Sequence, residues 1–259
     1  MGRIIAGGGR AGVTARRNPV FGWVLALAVA ALFARLGVWQ LARMHEKQAM
    51  LAAVHATLQA KQPRPLALAA DPARSRDYDW AAGEGRFLEL PAVLLDNQGR
   101  EDRGAGVRAY RVFQPAAGGA PLLVELGWLP LPGDRTLPRV PLPAGVHAVA
   151  GLLAPPPSAG LARGVATPQA DGTLLVIALQ PDALRRALHL AALAPRVLKL
   201  DPAQALPAGA PAYVRDLDIL PNTLPPERHL GYAVQWFGLA IAVLATALVV
   251  TLRKSFRRP

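Results

Sequence analysis

Two long apolar stretches bracket a middle region in which short apolar runs alternate with turn formers. The C-terminal stretch, Gly231 to Leu252, is 22 residues without a charge, and Arg253 and Lys254 end it abruptly. At ~1.5 Å per residue this makes a helix of ~33 Å, enough to cross a ~30 Å hydrocarbon core. Tyr232 and Trp236 stand one turn apart near its other end, where amphipathic aromatics favour the headgroup level. The N-terminal stretch runs from Pro19 to about Leu41. Arg35 interrupts it and is read as snorkelling to the interface. A cleaved signal peptide is the rival reading: the start is basic and Ala28-Val29-Ala30 resembles a cleavage site. The apolar pattern nevertheless runs on past Ala30, which favours a retained helix.

The middle region reads differently. Gln48 to Gln59 continues as a helix leaving the membrane, until the proline-rich stretch from Pro63 to Pro72 stops it. Candidate strands follow at Tyr78–Phe87, Ala92–Asp96, Gly106–Phe113, Leu122–Leu131, Val146–Leu153, Leu174–Leu179 and Arg196–Leu200. Gly83 and Gly85 are candidate bulge or twist sites in the first of them. Pro181 to Ala194 has helical spacing, with Pro181 and Asp182 suited to a helix start. Strands separated by turn signals in this way predict an antiparallel sheet closing towards a barrel or sandwich. The expected fold class is therefore a membrane protein of α+β type, with two transmembrane helices flanking one β-rich extracytoplasmic domain. The expected divisions are 1–18 as a basic tail, 19–42 as the first span, 43–228 as the domain, 229–252 as the second span and 253–259 as a second basic tail.

Charge sharpens the topology. The formal charge is +12, and the two tails carry +8 of it without a single acid. Basic residues that flank apolar runs place both termini in the cytoplasm and the domain on the far side, and they argue against nucleic-acid binding. The chain has no Cys, which excludes disulfides, thiolate nucleophiles and cysteine metal sites. Its three Met make a copper carrier built on sulfur ligands unfavourable.

Signatures of catalysis are missing. None of Ser75, Ser158 and Ser255 lies in a GxSxG turn, and there is no P-loop, dinucleotide fingerprint or HExxH. Asp216 and Asp218 alternate on a strand-like piece and read as solvated carboxylates. The five His remain: His55 and His189 on predicted helices, His147 at the start of a strand, His45 just beyond the first span and His229 just before the second. A His at the end of a membrane helix is either an interfacial residue or a ligand.

The residues around the two helix ends carry a resemblance. Leu36-Gly37-Val38-Trp39-Gln40-Leu41-Ala42-Arg43, with Lys47 four residues on, resembles the outer end of the first helix in the surfeit-locus (Surf-type) cytochrome c oxidase assembly factors. His229-Leu230-Gly231-Tyr232-Ala233-Val234-Gln235-Trp236-Phe237 is similar to the second-helix signature of that family, led in by Pro225-Pro226-Glu227-Arg228. Tyr78 to Phe87 and Leu126-Gly127-Trp128-Leu129-Pro130 add to it, so the likeness spans about residues 19–257.

The resemblance implies a non-catalytic assembly factor for a haem–copper oxidase, in a bacterial inner membrane or the mitochondrial one. It implies haem a as a transient cofactor with His229 as iron ligand, and the oxidase catalytic subunit as partner, with haem A synthase and membrane lipid as further candidates. A haem a binder needs an apolar wall, an axial ligand and cations for the propionates. Tyr232 and Trp236, beside Gly231, are the expected wall, and Arg43, Lys47 and Arg228 the expected cations. Trp39, Gln40 and Gln235 are expected to meet across the two helices. The alternative is a membrane-anchored scaffold that holds an oxidase subunit without haem.

Overall fold

The computed structural model describes residues 19–158, 165–205, 211–219 and 224–256. The basic tails at 1–18 and 257–259 lie outside them. The chain forms two compact units, Met1–Lys47 with Pro225–Pro259, and Gln48–Leu224.

The first unit is a helix pair. Helix α1 spans Pro19–Ala60, and its part up to Lys47 belongs here. Its partner, here called α3, spans Pro226–Phe256. Both are long and apolar enough to cross a membrane. Pro226 opens α3 at a position where its missing N–H costs nothing. Ala28-Val29-Ala30 lies inside the unbroken α1, and Arg35 is exposed on its surface. Contacts at successive depths show the two helices antiparallel. Gln40 meets His229, Phe33 meets Trp236 and Trp23 meets Thr251.

The second unit is a β barrel with additions. Its strands are β1 (Arg64–Pro65), β2 (Asp79–Phe87), β3 (Val93–Leu95), β4 (Gly106–Pro115), β5 (Leu122–Pro130), β6 (His147–Ala154), β7 (Thr167–Pro168), β8 (Leu174–Val176) and β9 (Val197–Leu200). The order β2-β6-β9-β5-β4 closes on itself through a β2–β4 pairing, and β3, β8 and β7 extend the wall from β4. The sheet is not wholly antiparallel as expected: β5–β9, β3–β8 and β1–β2 pair parallel. The long connection that includes α2 (Pro181–Ala187) provides the crossover that the parallel β9 requires.

Alternation assigns side chains to two cores. Leu94, Leu122, Val124, Leu126, Leu198 and Leu200 pack in one cluster. Their neighbours Val93, Leu95, Leu123 and Val197 pack in another, with Leu184 and Leu188 at the α2 end. Both faces of this wall are buried, which is why Leu122 to Leu126 reads as an almost continuous apolar run. Gly106 is required where it stands, because a Cβ there would meet the Trp128 indole at 2.2 Å. The predicted bulge sites also move. The register shift lies between Ala109 and Tyr110. Gly85 instead marks the place where β2 pairs with β4 as well as β6. Helix α2 stops at Ala187 and not Ala194, since His189 adopts φ +53° and breaks the helical path.

Charges are buried in the same wall. Tyr110, Glu125 and Lys199 are register partners on β4, β5 and β9. The Tyr110 hydroxyl donates to Glu125 at 3.0 Å, Lys199 Nζ to both carboxylate oxygens at 2.9 Å and Arg108 at 2.5 Å. Asp216 accepts from Arg100 at 2.6 Å and from Arg108 at 3.1 Å. Asp216 is thus part of an ion network, a correction to the expectation of a solvated carboxylate. Burial alone would raise the Glu125 carboxyl, but Lys199 and Arg108 outweigh it and hold it below the usual carboxylate range.

Candidate functional site

The first unit is built from an i, i+3/i+4 seam on each helix. On α1 the seam includes Ala30, Phe33, Gly37 and Gln40; on α3 it includes His229, Ala233, Trp236 and Ala240. Ala30, Ala233 and Ala240 are buried. Gly37 is buried too, and a Cβ on it would come within 2.7 Å of the Phe237 ring. Small residues therefore set the closeness of the helices, as in membrane interfaces generally. Phe33 and Trp236 stack with centroids 5.5 Å apart and planes tilted by 36°.

At the end of this seam stands His229, only 7% exposed. Its Nδ1 donates to Gln40 Oε1 across the helix pair at 2.7 Å. Its Nε2 is buried and has no hydrogen-bond partner. A buried polar atom without a partner costs about 1–3 kcal/mol, and such atoms call for an explanation. A neutral imidazole held at one nitrogen and open at the other is the form in which histidine binds a metal. Among the described residues no cluster of three His, Asp or Glu side chains could hold a metal ion. A single histidine nitrogen would suit only a metal that brings most of its own ligands. Nε2 is also closed to solvent, so ligation requires the ring or its cover to shift.

Around His229 the other expected site residues differ in exposure. Tyr232 is 39% exposed, on the open flank of α3. Trp236 is half-buried, with Phe33 stacked on it; it belongs to the helix packing more than to a free wall. Arg228 is exposed, at the first turn of α3. Arg43 is exposed and paired with Glu46 at 2.5 Å. Lys47 is buried and has a partner of its own.

The expected meeting of Trp39, Gln40 and Gln235 does not occur. Trp39 and Gln235 are exposed, and Gln40 pairs with His229. The reason is angular. At 100° per residue, Gln235 lies about 120° around α3 from His229, off the seam. Phe33 joins the site without having been named from the sequence, and Gly37 and Phe237, quoted only as parts of the two helix motifs, join it as packing partners. The small-residue and aromatic spacing along the seam is the signal that finds them.

Nearer the opposite end of the pair, an apolar groove of about 470 Å³ opens between Gly22, Leu25 and Val29 of α1 and Leu239, Ala242 and Thr246 of α3.

The other histidines are elsewhere. His45 and His55 are exposed on α1, His189 is exposed beyond α2, and His147 bonds the Ala144 carbonyl at 2.9 Å.

A family model, that of the SURF1 family, matches residues 27–241, well over half of the chain. The chain belongs to the SURF1 family. The matched region contains Gln40, His229 and the whole β domain between them. Membership implies a role for this SURF1-family chain in the assembly of cytochrome oxidase. No curated protein matches it.

Proposed function

We propose that the chain serves oxidase assembly by holding haem a for the catalytic subunit, with His229 as the residue that would hold its iron. The observation that carries this reading is the state of His229: buried, fixed by Gln40 at Nδ1, and without a partner at Nε2. Nothing in ordinary helix packing calls for an imidazole with one orphaned nitrogen at this depth.

Haem a supplies the redox chemistry; the chain supplies the place. Nε2 of His229 would hold the iron. Tyr232 offers an exposed aromatic face next to it on the helix, and Arg228 and Arg43 offer cations where propionates emerge. One protein ligand favours carriage and release over permanent ligation. The role is not catalytic. The basic tails that flank the helices support a topology with both termini in the cytoplasm and the domain outside it. The partners are the oxidase catalytic subunit and, upstream, haem A synthase.

The test is the pigment of the full-length protein purified from a haem a-producing host. Haem a in about one copy per chain is expected. A colourless protein that still supports oxidase assembly overturns the reading in favour of the scaffold.

A further inference from the structure

We propose that Gln40 is a positioning residue for His229: its amide oxygen holds the imidazole as the Nδ1–H tautomer and so reserves the Nε2 lone pair for a metal. The inference rests on the ligand reading above and adds the device that makes His229 ligand-ready.

The geometry is specific. Gln40 and His229 are 189 residues apart in sequence, yet Oε1 and Nδ1 lie 2.7 Å apart. A carbonyl oxygen can only accept, so Nδ1 must carry the hydrogen. A neutral imidazole has one ring hydrogen, and Nε2 is then left as a bare acceptor. Nε2 is buried without any donor to satisfy it. The other tautomer would put a hydrogen on this buried nitrogen and set two acceptors against each other at Nδ1. The cationic form would also place a buried, unsolvated N–H there. Gln40 therefore selects between the two neutral tautomers, burial of Nε2 disfavours the cation, and the form that remains is the one that ligates.

The position of Gln40 is itself fixed. It lies one helical turn from Gly37, whose contact with Phe237 sets how closely α1 approaches α3 at this level. Depth and rotation of the amide thus follow from the packing. Outer-shell partners of this kind orient metal-binding histidines and raise their basicity.

The assignment is tested first in haem-free, full-length protein in detergent micelles by nitrogen NMR of labelled histidine, with the His229 signals identified by their loss in His229→Ala. The wild type should show a protonated Nδ1 and an unprotonated Nε2. Gln40→Leu should move most of the population to the Nε2–H form. Gln40→Glu keeps an acceptor in place and should retain the Nδ1–H form. A wild type with Nε2–H, or Gln40→Leu without change, overturns the proposal.

The haem-loaded protein supplies the second readout. Gln40→Leu should weaken haem retention by about 10–100-fold. Gln40→Glu should retain haem and lower its reduction potential, because the ligand becomes more basic. Loss of haem in Gln40→Glu as complete as in Gln40→Leu also overturns the proposal. Haem retained at the wild-type level in His229→Ala overturns the ligand reading itself. That failure is separable from a failure of the Gln40 assignment, because the tautomer is read without haem.

Discussion

The ring of Phe237 covers Gly37 so closely that a single added carbon at Gly37 would lie 2.7 Å from it. This contact sets how closely α3 approaches α1 one turn along α1 from the Gln40–His229 bond, and so frames the imidazole.

Enlarging Gly37 should therefore open the frame. Overpacking a tight contact costs about 1–3 kcal/mol. The chain has no Cys of its own, so introduced pairs report cleanly. Cysteines placed at Trp23 and Thr251, whose side chains meet between the indole Nε1 and Thr251 Oγ1 at 3.1 Å, should be joined readily by a thiol-reactive linker about as long as the lost indole in an otherwise unaltered chain. Gly37→Leu should slow that cross-link and reduce haem retention together. Fast cross-linking and full haem binding in Gly37→Leu would show that the contact does not set the site.

Within the β domain, Glu125 is the common acceptor for Tyr110, Arg108 and Lys199. Glu125→Gln takes the buried carboxylate away from Arg108 and Lys199 and leaves both to Asp216, 3.1 Å from Arg108 and 3.9 Å from Lys199. Breaking a buried pair in this way costs about 3–5 kcal/mol. Denaturation of the full chain in micelles should show the loss, and a variant within about 0.5 kcal/mol of wild type (the scatter of harmless surface changes) would contradict the assignment.

Acid should act through the same groups. The Glu125 and Asp216 carboxyls are held below their ordinary values, Glu125 by Lys199 and Arg108 against burial, Asp216 by Arg108 and Lys199 against burial. A carboxylate with a depressed folded-state pKa contributes stability that is full above its unfolded value. That contribution is lost as pH falls through the folded value. Stability of the domain should thus be level near neutrality and fall below about pH 4.5, the ordinary value for a glutamate carboxyl. Unfolding followed across that range in wild type and Glu125→Gln should show a flatter acid limb in the variant.

Topology is open to a direct check. A periplasm-dependent reporter fused after Arg258 should be silent, while one inserted at Gly118 should be active. Gly118 is an exposed turn residue at φ +85°, and exposed loop tips are where insertions are generally tolerated. An active C-terminal fusion contradicts the placement of both termini in the cytoplasm.

Much of this architecture is legible in the amino-acid sequence. Uncharged length reveals both membrane helices, and turn residues between apolar runs mark out most of the strands, including Leu122–Pro130 and His147–Ala154 within a residue or two. Closure through β2–β4 and the parallel pairing of β9 are not legible, since partner choice between distant strands leaves no local pattern. His229 stands out from its place at a helix end and from the family resemblance. Its partner does not. Gln40 and Gln235 are equally polar, but Gln40 lies level with His229 and faces inward, while Gln235 lies six residues further along α3, near the level of Phe33, and faces out; neither the level at which the helices meet nor their rotation leaves a local pattern. Asp216 reads as solvated for a like reason: the cations that hold it, Arg100 and Arg108, are more than a hundred residues away in sequence.

Whether His229 holds haem comes down to the Soret absorbance of His229→Ala, purified full-length beside the wild type from the same haem a-producing cells and normalised to protein. The wild type should show a clear Soret band and the variant should lose it, with equal expression, membrane insertion and Trp23–Thr251 cross-linking. A His229→Ala protein that keeps the wild-type band would contradict the ligand role of His229.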